Sequence, residues 1–360
     1  MGKGKNAQKK KISKSKKINK KTLLSTFSIE ELLKKAQDEI NIFNYKEAQQ
    51  YCHEALQRDP DNLRALEVSA SLCMETGNFD RAKHCFGRAI TLAPETGFTK
   101  YLSMGQLFEG KESLQCYLKG IELIQKAIKE EKESKASEIK SPQQNGVLNS
   151  IKDDSDDDDE ENSDKCSKII DPSNSLERKL SNSYCAVAEL FMSDLCDEDE
   201  AEAESLSNVQ KAIEIDNTNP EAYHYYANFL LIKERVEEAK ENIKKSVSLW
   251  LPKYEAVDKG EASEGSFDPV EVCPISESAR CKTAQILIEV EEHELAADVL
   301  RTLIAEDDEV HKKSPTDDES IIHHMEEMLE ELKDVEIDLE EDELENIEEL
   351  EEEIELMDVS

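Results

Sequence analysis

No apolar run in this 360-residue sequence approaches the ~18–20 residues that a membrane-spanning helix needs. The lysine-rich N-terminus has no apolar segment behind it, so it does not read as a secretory leader. A soluble, intracellular protein without a membrane partner is expected. Basic residues are scarce: 45 Lys and Arg face 83 Asp and Glu, for a formal net charge of −38. Such a chain repels phosphates, which argues against direct binding of nucleic acid and favours a basic partner. Nine cysteines form no C-x-x-C pair, and most fall at helical positions that want a small apolar residue. They are expected to be reduced and buried.

Catalytic patterns are missing as well. There is no Gly-rich phosphate loop, no G-x-S-x-G and no H-E-x-x-H. The carboxylate runs lack the glycine and the spacing of a Ca²⁺ loop. His323 and His324 are adjacent, so on a helix they would point about 100° apart and chelate poorly. No catalytic, cofactor-binding or metal-binding residue is assigned, and an enzyme is not expected.

What the sequence does have is a repeat. "FNYKEAQQYCHEALQRDPDN" from Phe43 returns as "GNFDRAKHCFGRAITLAPET" from Gly77. Tyr45/Phe79, Ala48/Ala82, Ala55/Ala89 and Pro60/Pro94 each lie 34 positions apart. Helix–turn–helix patterns run from Ser28, where Ser28 and Glu31 spell a capping box, through 46–58, 62–75 and 79–92. Two helices per 34 residues is the tetratricopeptide period. Small residues let paired helices approach, Tyr45 and Phe79 are expected to plug the turns, and the prolines end the second helices. One pair cannot bury its own apolar face, so several must stack. The aromatic-x-x-apolar-small-x-x-aromatic start of such repeats appears at "YLSMGQLF" and "YCAVAELF", and a fifth unit with Tyr223, Tyr226, Ala227 and Leu230 is expected to close at Pro252. A looser sixth pair carries Ala284 and Ala297.

The expected organisation is all-α: a tetratricopeptide-repeat superhelix of about five to seven helix pairs with disordered charged ends. Residues 1–26 form a basic tail with ten lysines in the first 21 positions. The first half of the array covers 27–133, an acidic insertion 134–178, and the second half with a capping helix at about 317–333 covers 179–333. Residues 334–360 carry fifteen acids and no base. Two readings compete for "KKKISKSKKINKK": a nuclear localisation signal read by an import receptor, or a solvated basic tail. The first gives a protein of nucleus and cytoplasm.

A stack of helix pairs offers binding rather than chemistry. Projecting the 34-residue register places Leu33, Gln37, Glu67, Ser71, Leu102, Gln106, Glu189, His224 and Asn228 on the face lined by the first helices. That mixture suits an extended client segment with basic and apolar groups; the competing reading leaves several of them merely solvated. A carboxylate clamp of the kind that grips heat-shock chaperone tails is excluded. Its positions hold Leu33, Gln37 and Val68, which cannot supply charge-assisted bonds.

The stretch "AQILIEVEEHELAADVLRTLIAEDDEV", the "MGKGK" opening and the acidic C-terminus resemble a particular family. These are the dedicated assembly chaperones of ribosomal protein four of the large subunit. After "EDDEV" that family continues with a tryptophan-led helix, whereas this chain has "HKKSPTDDES", so its last repeat is altered or shortened. The resemblance implies a chaperone that captures the newly made basic ribosomal protein, holds its internal extension and escorts it to the nucleus for subunit assembly. A scaffold adapter in a nuclear complex and an acidic histone chaperone stay open as alternatives.

Overall fold

The computed structural model describes residue 24 and residues 26–139, 175–258 and 275–310. The basic segment, the acidic insertion (Ser155 and its aspartates included), the helix expected at 317–333 and the acidic tail lie outside these. The chain divides into two compact units, 1–216 and 217–360.

The first unit holds four helix pairs among its described residues: α1 (Ile29–Asn41) with α2 (Tyr45–Arg58), α3 (Leu63–Glu75) with α4 (Phe79–Leu92), α5 (Thr99–Leu107) with α6 (Gly110–Ile139), and α7 (Leu176–Met192) with α8 (Ala201–Ile215). The second holds α9 (Pro220–Ile232) with α10 (Val236–Ser248), a short α11 (Leu251–Asp258), and α12 (Glu277–Glu289) with α13 (His293–Val310). Five of the six first helices described start on side-chain caps; α5, which follows Phe98, does not. Ser28 accepts the Glu31 amide at 3.2 Å while Glu31 reaches back to the Ser28 amide at 2.7 Å, which is the expected capping box. Asn62, Ser175, Asn219 and Ser276 likewise accept first-turn amides, at 3.0, 3.0, 3.1 and 3.2 Å. Each cap removes an orphan donor at a cost-free position and is worth about 1 kcal/mol.

Small residues make the pairs. Ala36, Ala70, Ala188, Ala227 and Ala284 on the first helices are fully buried, as are Ala48, Ala82, Ala239 and Ala296 on the second. Where a pair lacks the second alanine, serine takes its place and binds the facing backbone: the Ser113 hydroxyl donates to Gly105 O at 2.6 Å, and that of Ser205 to Ala188 O at 3.3 Å. Gly105 is needed there, because a Cβ would lie 2.8 Å from ring carbons of Tyr117.

Three expectations change. Phe79 is 52% exposed and plugs nothing; Tyr45 is only half-buried. The fifth unit does not close at Pro252. Trp250 is fully buried, Pro252 sits in the first turn of α11, where a missing amide costs little, and Tyr254 Oη donates to Thr302 O of α13 at 3.1 Å. The insertion is shorter than expected at both ends, since α6 runs to Ile139 and α7 starts at Leu176. Ala296 and Ala297 of α13 are both buried, and Ala296 stands three residues into its helix, as Ala48, Ala82 and Ala239 do in theirs.

The turns are made by backbone geometry instead. Phe43, Gly77, Glu234 and Glu291 occupy the same place in their repeats, and all are left-handed, with φ of 58, 66, 57 and 59°. Only Gly77 lacks the Cβ that makes that region cost other residues about 1–2 kcal/mol. Glu234→Gly is therefore expected to stabilise the protein, by roughly 0.5–1 kcal/mol after the added freedom of the unfolded chain is subtracted. Gly77→Ala should destabilise by a similar amount, since nothing lies within 4 Å of a Cβ there. Urea midpoints at unchanged slope measure both; shifts in the opposite directions would refute the turn geometry.

Candidate peptide-binding groove

The nine residues projected from the register do not share one environment. Leu33 is 2% exposed and packs with Leu32, Ala55 and Ala65. His224 is 6% exposed, with Nδ1 3.0 Å from Thr283 Oγ1 of α12. Burial, helped by the charge of Lys282, pushes its pKa down to about 4, so the ring is neutral at physiological pH. Both residues are packing groups rather than groove contacts, because their positions face the next first helix in the stack. Leu102 is half-buried, with Cδ2 2.5 Å from the point a Gly120 Cβ would occupy, so it too packs inward.

Gln37, Ser71 and Gln106 are exposed, and Glu67, Glu189 and Asn228 are half-buried. Gln37 Nε2 donates to Asn41 Oδ1 one turn later, at 3.1 Å. Glu67 is tied into the fold electrostatically: its charge partly offsets the desolvation that depresses the pKa of buried Lys100. Lys100 Nζ in turn donates to Ala93 O at 2.5 Å, capping α4.

Two of the nine come together. Gln106 of α5 and Glu189 of α7 line one cleft of about 270 Å³ in the first unit, with Phe108, Tyr117 and Ser193. Burial, and then the nearby charge of Glu189, push the Tyr117 hydroxyl up to about 12, so it remains a neutral phenol. A carboxylate, a side-chain amide and a phenol beside one aromatic edge form an acceptor-rich site for an ammonium or guanidinium group. The register projection named Gln106 and Glu189, which share this cleft, but neither Phe108 nor Tyr117, which reach it from the following turn and the second helix.

The cysteines are where their small size suggests. Cys52, Cys73, Cys85, Cys185 and Cys281 are buried, Cys116 is half-buried and Cys196 exposed. Cys166 and Cys273 lie outside the described residues. Burial raises the thiols of Cys52 and Cys281 to about 11, which keeps them protonated and unreactive. Among the described residues no group of three His, Cys, Asp or Glu side chains is arranged to hold a metal, and no helix is long and apolar enough to cross a membrane.

Helix pairs packed on alanine columns, four of them joined through a left-handed residue, give the chain a tetratricopeptide-repeat fold. Models of the tetratricopeptide repeat match residues 43–96 and 209–241. Within that class the chain is similar to the probable assembly chaperone of rpl4 from Schizosaccharomyces pombe, at 27% identity over 252 residues. The match takes in 69% of this chain and spans 60% of that relative's length. Among solved structures it is similar to the assembly chaperone of RpL4 (Acl4), residues 1–338, with a TM-score of 0.60 and 22% identity. That alignment covers 86% of this chain and 98% of the solved one. The resemblance drawn from the repeat and its acidic ending is thus the one these comparisons find.

Proposed function

We propose that the protein is a dedicated, non-enzymatic chaperone of a newly made basic ribosomal protein, large-subunit ribosomal protein four. It shields the client's extended segment and escorts it from cytoplasm to nucleus for subunit assembly, with the basic N-terminus read by an import receptor. The observation that carries this reading is the similarity over 252 residues to a probable assembly chaperone of rpl4. Two physical features support it. A chain of net charge −38 attracts a lysine- and arginine-rich client and screens it from nucleic acid. The Gln106–Glu189 cleft is built from acceptors and suits a basic side chain on that client.

The test is capture of purified ribosomal protein at two salt concentrations by wild type, Glu189→Lys and a variant lacking 334–360. Removing the tail is expected to slow association and flatten the salt dependence, because exposed charges act over a Debye length of ~8 Å. Glu189→Lys is expected to speed dissociation and weaken binding about 10- to 100-fold, the loss of one charge-assisted bond plus like-charge repulsion. A tail deletion that alone abolishes capture, with Glu189→Lys binding normally, would refute the cleft as the client site. Stoichiometric co-purification of histones, or of several unrelated proteins, would refute the dedicated client.

A further inference from the structure

The first unit carries a second concavity, larger than the Gln106–Glu189 cleft and built on a different face of α7. Its volume is about 740 Å³, within the range of sites that bind ligands or peptide side chains. Ala186, Glu189 and Leu190 of α7 turn to the first cleft, whereas Tyr184, Val187 and Phe191 turn to this one. Those three sit at i, i+3 and i+7. On α6, Leu114, Leu118 and Ile121 sit at i, i+4 and i+7. Two apolar stripes, each two turns long, thus line the same depression. Leu118 is 50% exposed, and Tyr184 and Phe191 are partly so. The third wall, from α8, is polar: Glu204, Asn208 and Lys211.

The rim has one dominant sign. The α7–α8 connection runs from Ser193 to Glu200, eight residues where the connections α1–α2, α3–α4 and α9–α10 have three. The extra residues bring Glu198, Asp199 and Glu200 to the mouth of the concavity, beside Glu204. The two lysines at the mouth are already engaged. Lys111 Nζ pairs with Glu198 at 2.7 Å, and Lys211 lies over the Tyr184 ring at 5.7 Å.

We propose that this groove docks an amphipathic helix of another protein, with a basic polar face. An i, i+3/i+4, i+7 apolar stripe on the incoming helix would lie between the matching stripes of α6 and α7, as in helix-in-groove recognition. Its lysines or arginines would meet Asp199, Glu200 and Glu204 along the polar wall. Charge complementarity selects a basic helix over an acidic one. The two apolar stripes select it over a polybasic strand, which the net charge of −38 would attract anywhere on the surface.

The experiment uses the full chain and synthetic probes, and needs no ribosomal protein, so its outcome is independent of the chaperone reading. A fluorescent peptide of about 18 residues carries leucines on one stripe and lysines elsewhere. Controls are the same composition scrambled to break the stripe, and the stripe with glutamates for lysines. Proteins are wild type, Leu118→Arg and the double variant Asp199→Lys/Glu200→Lys, all changed at exposed positions. The striped lysine peptide is expected to bind wild type saturably and to gain helical circular dichroism on binding. Each variant should weaken it by at least about tenfold. The scrambled and glutamate peptides should bind at least about tenfold more weakly than the striped one. Equal binding of striped and scrambled peptides, unchanged affinity in Leu118→Arg, or binding without gained helicity would each overturn the proposal.

Discussion

Ala82→Glu is expected to destabilise the first unit by several kcal/mol, with loss of helical circular dichroism and a melting temperature lower by roughly 10 °C or more. Ala82 has no exposed surface and stands in a cluster with Leu66, Ala70, Cys73, Cys85, Phe86, Ala89 and Met104. Its Cβ fills the gap between α3 and α4, so a larger side chain has two outcomes. A glutamate that stays inside loses its hydration among apolar groups without a partner, while one that escapes must push the helices apart and expose Phe86. Phe86 alone buries enough area to contribute about 2–3 kcal/mol. Ala82→Ser is the control, because Ser113 and Ser205 hold the corresponding place in other pairs and bind the facing carbonyl. It should melt within a few degrees of wild type. An unperturbed melting curve for Ala82→Glu would mean that α3 and α4 do not pack on this column.

The contrast between alanine column and groove explains what the sequence could reveal. Ala48, Ala82, Ala55 and Ala89 recur because each repeat meets the same close helix approach, and a recurring constraint leaves a recurring letter. Helix limits at 45–58, 63–75 and 79–92 follow within a residue for the same reason. Left-handed turns leave no such letter. Three of the four turn residues are Phe43, Glu234 and Glu291, so the strain is carried by packing of the helices they join rather than relieved by glycine. The aromatic character of Phe79 suggests a plug, but at the start of α4 the ring is 52% exposed. The site residues were legible as a face and not as contacts. Register alone cannot show that the positions of Leu33 and His224 turn towards a neighbouring first helix, while those of Gln106 and Glu189 open into a cleft. The acidic connection at 193–200 lies in an irregular, longer turn, outside any period that could have marked it.

Breaking the Arg178–Asp216 pair is expected to cost about 3–5 kcal/mol, the other large effect. Arg178 lies in the first turn of α7 and Asp216 caps the end of α8; their side chains are 7% and 12% exposed. The Arg178 guanidinium donates through Nε to Asp216 Oδ2, so each charge is held by the other within the fourth helix pair. Arg178→Met takes the guanidinium from a carboxylate that is only 12% exposed, and Asp216→Asn does the converse. Removing both charges together, as Arg178→Met with Asp216→Asn, replaces the pair with groups that tolerate the same space. That double variant is expected to recover most of the loss, so the coupling energy should exceed about 1.5 kcal/mol. Salt separates this pair from the surface ones. The exposed Arg88–Asp61 bridge, with side chains 44% and 57% accessible, should contribute under about 1 kcal/mol and fade at high ionic strength. The buried pair should keep its coupling there, because little solvent lies between its charges. Urea unfolding of wild type, the two single variants and the double variant at low and high salt measures both quantities. Additive effects of the two single changes, or a coupling that vanishes with salt, would show that α7 and α8 are held by apolar packing alone.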